Sequence, residues 1–219
     1  MKMDQETIGK VKGALEHEKA FWKSIFVQEE KFKSMQWDWE NTAHVFQDLA
    51  QKYTVLDDSS RIIQIGSAVQ DAINFWQVGK RYALDPLKLF YKGNFEVYDK
   101  GLSNFVGVGE KLPFKDRSFD VIICQNVIDH TFAPEMVADE FRRILKKDGI
   151  LFLGLNVYAP DVVAQPHEDP IHFWMFSKAD IKQLLLKRDF SIKEEHLCDT
   201  DSMEKAQWYW LAAKAPEHR

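Results

Sequence analysis

The sequence predicts an α/β fold: a doubly wound sheet of seven strands, mostly parallel, with an antiparallel last strand and a helical cap ahead of it. Three observations predict it. Short apolar runs alternate with amphipathic stretches from residue 61 to 190, as a parallel sheet with helices on both faces requires. The run Phe119–Cys124 (FDVIIC) is apolar throughout, as expected of a central strand buried on both faces. The gap from Cys198 to Glu204 carries no helical pattern, so the last two strands are joined by a short link that suits antiparallel pairing.

Glu6–Phe26 spaces Ile8, Val11, Leu15, Phe21, Trp22 and Ile25 at helical intervals, and Met35–Tyr53 repeats the pattern with Trp39, Val45, Phe46 and Leu49. These two helices form the cap, residues 1–56, and the sheet domain fills 57–219. A polar turn, Asp57–Ser60, leads into the first strand, Ile62–Ile65, which ends at Gly66. Ser67-Ala68 then open a helical pattern carrying Ile73, Phe75 and Trp76. The second strand, Tyr82–Leu84, ends in an acid, Asp85, and Leu87–Tyr91 forms a short helix. Gly93–Gly101 is turn-like, and Phe105–Val108 is the third strand, closed by Gly109-Glu110. Phe119–Cys124 is the fourth, ending at Gln125-Asn126. Ala133–Leu145 is a helix with Pro134 at its start and Val137, Phe141 and Leu145 on one face. Lys146–Gly149 stops it before the fifth strand, Ile150–Leu155. Asn156–Phe176 is a long loop. Ser177 caps a helix through Leu186, and strands follow at Phe190–Glu195 and Gln207–Ala213.

The 219 residues carry a net charge of -5, which disfavours a dedicated nucleic-acid surface, since phosphate neutralisation needs clustered Lys and Arg. The two cysteines, Cys124 and Cys198, lie far apart and suit a reducing compartment. No apolar run reaches the ~20 residues of a membrane span, and MKMDQETIGK has no apolar signal core, so a cytoplasmic protein is expected. Seven tryptophans and 16 phenylalanines serve core packing first, with an aromatic wall for a ligand ring as the alternative.

The stretch Arg61–Asp85 suits a nucleotide. Gly66 lets backbone approach a ligand, a following helix N-terminus offers free N–H groups, and an acid about twenty residues later can take both ribose hydroxyls. Only Gly66 of a G-x-G-x-x-G loop is present, and positions 68 and 70 hold Ala68 and Gln70.

The segment from Val106 to Leu155 carries a specific string: Gly109-Glu110, Leu112-Pro113-Phe114, Ser118-Phe119-Asp120, Asn126-Val127-Ile128-Asp129-His130 and Arg143-Ile144-Leu145-Lys146-Lys147-Asp148-Gly149. With it, residues 61 to about 195 resemble a class I S-adenosylmethionine-dependent methyltransferase of Rossmann-like architecture. Phe21-Trp22, Asp85-Pro86-Leu87 with Tyr91, Asp129-His130 and Asp169–Phe173 resemble the enzymes of bacterial surface-polysaccharide and glycolipid clusters. The resemblance implies S-adenosyl-L-methionine as cofactor. Gly66, Ser67 and Ala68 would line its methionine part, Asp85 with Pro86 would hold the ribose, and Gly109 and Glu110 would flank the adenine. Gln125 and Asn126 would sit where the methionine meets the acceptor site. The sequence departs from the pattern at Gln64, Ala68, Gln70 and Val108.

Methyl transfer to a hydroxyl needs a base, and Asp129, His130, His167, Glu168 and His172 are the candidates beyond strand ends. For His130 the structural alternative is tying the turn; for His172 it is anchoring the loop. His167-Glu168 has no further ligand at a matching spacing, so no metal site is expected. Three functions remain open: a methyltransferase acting on a small molecule such as a sugar or glycolipid precursor, a degenerate member serving as a binding or partner subunit, and a nicotinamide oxidoreductase. The missing glycines and the antiparallel last strand disfavour the third. The N-terminal helices are a candidate lid or homodimer surface.

Overall fold

The computed structural model describes residues 4–95, 101–165, 169, 171–199 and 206–215. Two long helices come first, α1 (Gln5–Phe26) and α2 (Glu29–Tyr53). Then follow β1 (Arg61–Ile65), β2 (Lys80–Leu84), α3 (Lys88–Asn94), β3 (Leu102–Phe105), β4 (Phe119–Gln125), α4 (Pro134–Ile144), β5 (Leu145–Tyr158), α5 (Pro160–Val163), α6 (Lys178–Leu186), β6 (Ser191–Asp199) and β7 (Ala206–Lys214). The seven strands are ordered β3-β2-β1-β4-β5-β7-β6. Only β7 runs antiparallel, inserted between β5 and β6. The expected architecture is therefore present, with the strand order reversing between β1 and β4.

Alternation within the strands divides the core. Ile63, Ile65, Ile122 and Cys124 face α4 and α6, which bury Val137, Phe141, Ile144, Ile181 and Leu185 there. Ile62, Val121, Ile123 and Phe152 face the other way, against Phe46 and Ala50 of α2. Phe46 stacks on Phe152 with ring centroids 4.4 Å apart. The second helix thus shares a core with the sheet. A third cluster, Trp22, Ile25, Val69, Leu87 and Tyr91, joins α1 to α3 beyond the ends of β1 and β2.

Five local expectations change. The helix after Gly66 is a single 3-10 turn, Ala72–Asn74, although Ile73 and Trp76 are buried as the pattern required. α2 already covers that face, and Gly79 (φ +81°) turns the chain straight into β2. The third strand lies three residues earlier than Phe105–Val108, because Leu102–Phe105 is the segment that pairs with β2. Val106 and Val108 are exposed, and Val108 bridges Lys111 instead. α2 starts at Glu29 rather than Met35. Lys146–Gly149 does not leave the sheet; it makes an irregular excursion within β5, where Lys146 Nζ holds both oxygens of Asp120 at 2.9 and 2.8 Å. β5 also runs on to Tyr158, which shortens the long loop. Ser177 caps α6 as expected, in a reciprocal box with Asp180. The centre of the Cys198–Glu204 link, part of Gly93–Gly101, and His167 and Glu168 lie outside the described residues.

Candidate active site

Gly66 ends β1 with φ +71°, and a β-carbon there would lie 2.1 Å from Val127 Cγ2. A turn from β1 and the turn after β4 therefore meet at the point where strand order reverses, the place where such sheets bind ligands. Ser67 is fully buried, and its Oγ has no hydrogen-bond partner among the described residues. Ala68 also has positive φ, +43°. Its N–H donates to Asp85 Oδ2 at 3.0 Å, and its carbonyl accepts from Lys88 Nζ at 2.9 Å. Leu87 N–H donates to Asp85 Oδ1 at 2.7 Å. Pro86 is exposed.

Asp85 is only 6% exposed, and burial pushes its carboxyl up to about 6. Burial pushes Asp71 up to about 6 as well, while the Lys88 ammonium pulls both acids down. The α1–α3 aromatic cluster adjoins this turn, and Glu18 of α1 raises Asp85 slightly further. Gln36 of α2 donates to Gln70 at 2.6 Å. The free N–H groups expected at a helix start are not free. Asp71 accepts from Ala72 N–H at 2.6 Å, and Gln64 accepts from Ile73 N–H at 2.9 Å.

On the other side of the switch point, Gly109 packs against Val137 and Ile65. The Glu110 side chain turns inward to accept from Phe132 N–H at 2.9 Å, and burial raises its carboxyl above the ordinary range. Gln125 is half-buried with an unpartnered Oε1 among the described residues, and Asn126 is exposed at φ +49°. Both line a cleft of about 670 Å³ whose other walls are Trp37, Asp38, Trp39, Asn41 and Thr42 of α2 and Trp208 of β7. The aromatic load is thus divided: Trp37, Trp39 and Trp208 face the cleft, whereas Trp210 packs edge-on against Phe46.

Asp129, His130 and His172 come together. The His130 and His172 rings are 4.4 Å apart, and His172 Nε2 lies 3.9 Å from Asp129 Oδ2. His172 Nδ1 is bonded to Asp169 Oδ2 at 2.8 Å. The loop is fixed in place by its backbone: Phe173 N–H and Trp174 N–H both donate to the Asp129 carbonyl, at 2.8 and 3.2 Å. Sequence reasoning named these three side chains separately but missed Asp169 as the partner of His172, and missed Asn41 and Thr42 as walls. Only the tryptophan pairs signalled a cleft.

The polar groups suit S-adenosylmethionine at both ends. Unpartnered Ser67 Oγ and Gln125 Oε1 can serve the amino-acid end, and the Asp85 carboxylate retains a lone pair on each oxygen for ribose hydroxyls.

Strand order, antiparallel insertion and the switch-point turn together define the fold of class I S-adenosylmethionine-dependent methyltransferases. Residues 80–153 match the sequence family described as a methyltransferase domain. The uncharacterized methyltransferase YcgJ of Bacillus subtilis strain 168 is 38% identical over 76 residues, covering 33% of this chain and 27% of that protein. The matches span about a quarter of the length of the curated relatives, 27% in each. The crystal structure of YcgJ has a TM-score of 0.61 at 16% identity, covering 80% of this chain and 99% of that one. Geranyl diphosphate C-methyltransferase from Streptomyces coelicolor A3(2), solved with Mg2+, geranyl diphosphate and S-adenosyl-L-homocysteine, also has a TM-score of 0.61, at 10% identity over 80% of this chain and 77% of that one. The chain is similar to this class in sequence and in fold, as its own motifs indicate.

Proposed function

We propose that this chain is an S-adenosylmethionine-dependent methyltransferase that methylates an oxygen of a small, hydroxyl-rich acceptor, a sugar or a glycan or glycolipid precursor. The observation that carries this is the cleft beside Gln125 and Asn126. Its three tryptophans offer apolar faces to a sugar ring, and Asp38, Asn41 and Thr42 offer donors and acceptors to hydroxyls. The cleft opens at the carboxyl end of β4, where acceptors in such sheets bind.

The cofactor, when bound, supplies an electrophilic methyl group on a sulfonium. The chain supplies the rest. Asp85 and Pro86 would hold the ribose end, with Gly66, Ser67 and Ala68 at the methionine end and Gly109 and Glu110 beside the adenine. Gln125 and Asn126, on the wall of the cleft, would stand between the cofactor and the acceptor. His130 or His172 takes the acceptor proton, with Asp129 beside them. Asp169 fixes the tautomer of His172 by accepting from Nδ1, which leaves Nε2 as the basic atom.

A second function is favoured by one specific arrangement: a degenerate methyltransferase fold acting as a binding or partner subunit. Val127 closes on Gly66, and Asp85 is almost wholly covered. Calorimetric titration with S-adenosylmethionine and its demethylated product separates the two. Micromolar binding that disappears in Asp85→Ala is expected. No binding at millimolar ligand, by protein shown to be folded, overturns the enzyme in favour of the degenerate scaffold.

A further inference from the structure

We propose that Asp129, His130 and His172 form a binding site for one divalent transition-metal ion. One ligand atom from each lies within 4.8 Å of the others. Asp129 is 5% exposed, and its Oδ1 has no hydrogen-bond partner among the described residues. Its Oδ2 meets His172 Nε2 at 3.9 Å, too long for a hydrogen bond. A buried carboxylate left this way is costly unless a cation completes it.

The histidine is prepared for the same role. His172 Nδ1 is bonded to Asp169 Oδ2 at 2.8 Å, and Asp169 Oδ1 accepts from the backbone N–H groups of Ile171 and His172 at 2.9 and 3.1 Å. The Nδ1 proton is thereby assigned, and the Nε2 lone pair faces Asp129. A carboxylate behind the distal nitrogen is the usual support of a metal-bound imidazole. The His130 and His172 rings lie 4.4 Å apart, close enough for one nitrogen of each to reach a single cation. The two segments are pinned to each other, since Trp174 Nε1 donates to the Thr131 carbonyl at 2.8 Å in addition to the two bonds onto Asp129.

Bonds of about 2.0–2.1 Å in a tetrahedral site place ligand atoms roughly 3.3 Å apart, so the three groups close by about an ångström through side-chain rotation. Two imidazoles and one carboxylate favour Zn2+, Co2+, Ni2+ or Fe2+ over Ca2+ or Mg2+. Three protein ligands leave a position for an oxygen of water or of a small molecule. An imidazole nitrogen on the ion is no longer a base, so a loaded site would hold an acceptor oxygen through the metal.

Co2+ is the probe, added to untagged, chelator-stripped full-length chain and followed by visible absorption. One equivalent is expected to produce the bands of a low-coordinate nitrogen and oxygen site, and one equivalent of Zn2+ to erase them. His172→Ala and Asp129→Asn should weaken binding at least about 100-fold. Asp169→Asn, a positioning change, should weaken it about 10- to 100-fold with melting unchanged, and Asp169→Glu should restore it. His196→Ala, on exposed β6, should bind as the parent does. Circular dichroism checks each fold, with His172→Gln in reserve if His172→Ala unfolds. A flat spectrum with folded parent protein, or parent-like binding by the His172 and Asp129 variants, overturns the site. Cofactor titration is a separate measurement, so failure here leaves the methyltransferase assignment to its own test.

Discussion

Two halves of the sheet domain stand in contrast. From Leu112 to Leu155 nearly every piece of the recognisable string is tied to another piece. Arg143 holds the Leu112 and Phe114 carbonyls at 3.0 and 2.6 Å, pairs with Glu140 and reaches Asp116. Glu140 in turn accepts from Leu112 N–H at 2.6 Å, and Ser118 N–H donates to the Ile144 carbonyl at 2.7 Å. From Gly66 to Tyr91 the chain instead buries charge, with Asp71, Asp85 and Lys88 together under aromatic rings. The family match begins at residue 80, after the Gly66 turn. The shared signature thus records a scaffold, and what is particular to this chain lies where the signature is thin.

Three substitutions test that division, the first with the largest expected effect. Gly66→Ala adds a carbon 2.1 Å from Val127 at positive φ, and should cost about 3 kcal/mol in urea unfolding. Gly109→Ala, where the carbon would lie 3.2 Å from Val137, should cost about 1 kcal/mol. Equal costs would erase the contrast. Arg143→Ala frees two carbonyls and should cost about 2 kcal/mol, while cofactor affinity stays at the parent value. Its ion pairs add little, being partly screened by solvent. A loss of affinity equal to the loss of stability would show that the scaffold half also binds.

Asp85→Asn runs the other way. The folded carboxyl titrates at about 6 and the ordinary one at 3.8, so the folded chain keeps a proton that the unfolded chain releases between those values. The stabilising contribution is complete below 3.8 and is lost as pH rises through 6. Removing the charge should flatten unfolding free energy against pH from about 4 to 6 and add about 1–2 kcal/mol at pH 7, with cofactor binding abolished. An unchanged pH profile would show that the acid is solvated.

Much of the fold was legible because burial imposes period. FDVIIC could only be a doubly buried strand, and Ser177 ahead of Asp180 announced its own cap. The misses have a common cause in tertiary contact. Nothing local in Ile73–Trp76 says that α2 already occupies the face a helix would take. Nothing local moves the third strand to Leu102; only pairing with β2 does. The Asp129–His130–His172 group was invisible to spacing rules because its members come from two segments joined by backbone bonds to the Asp129 carbonyl.

The contacts of α2 also set an order of events during synthesis. This helix leaves the ribosome well before its partners on β5, β6 and β7. Phe46 waits for Phe152 and Trp210, Tyr53 for Glu194, and the Tyr53 carbonyl for Lys214 Nζ at 2.9 Å. At about 5–20 residues per second that delay is on the order of ten seconds. Through it, the apolar stripe of α2 has no sheet to cover it, and the nascent chain is a client for whatever shields exposed helices at the tunnel exit.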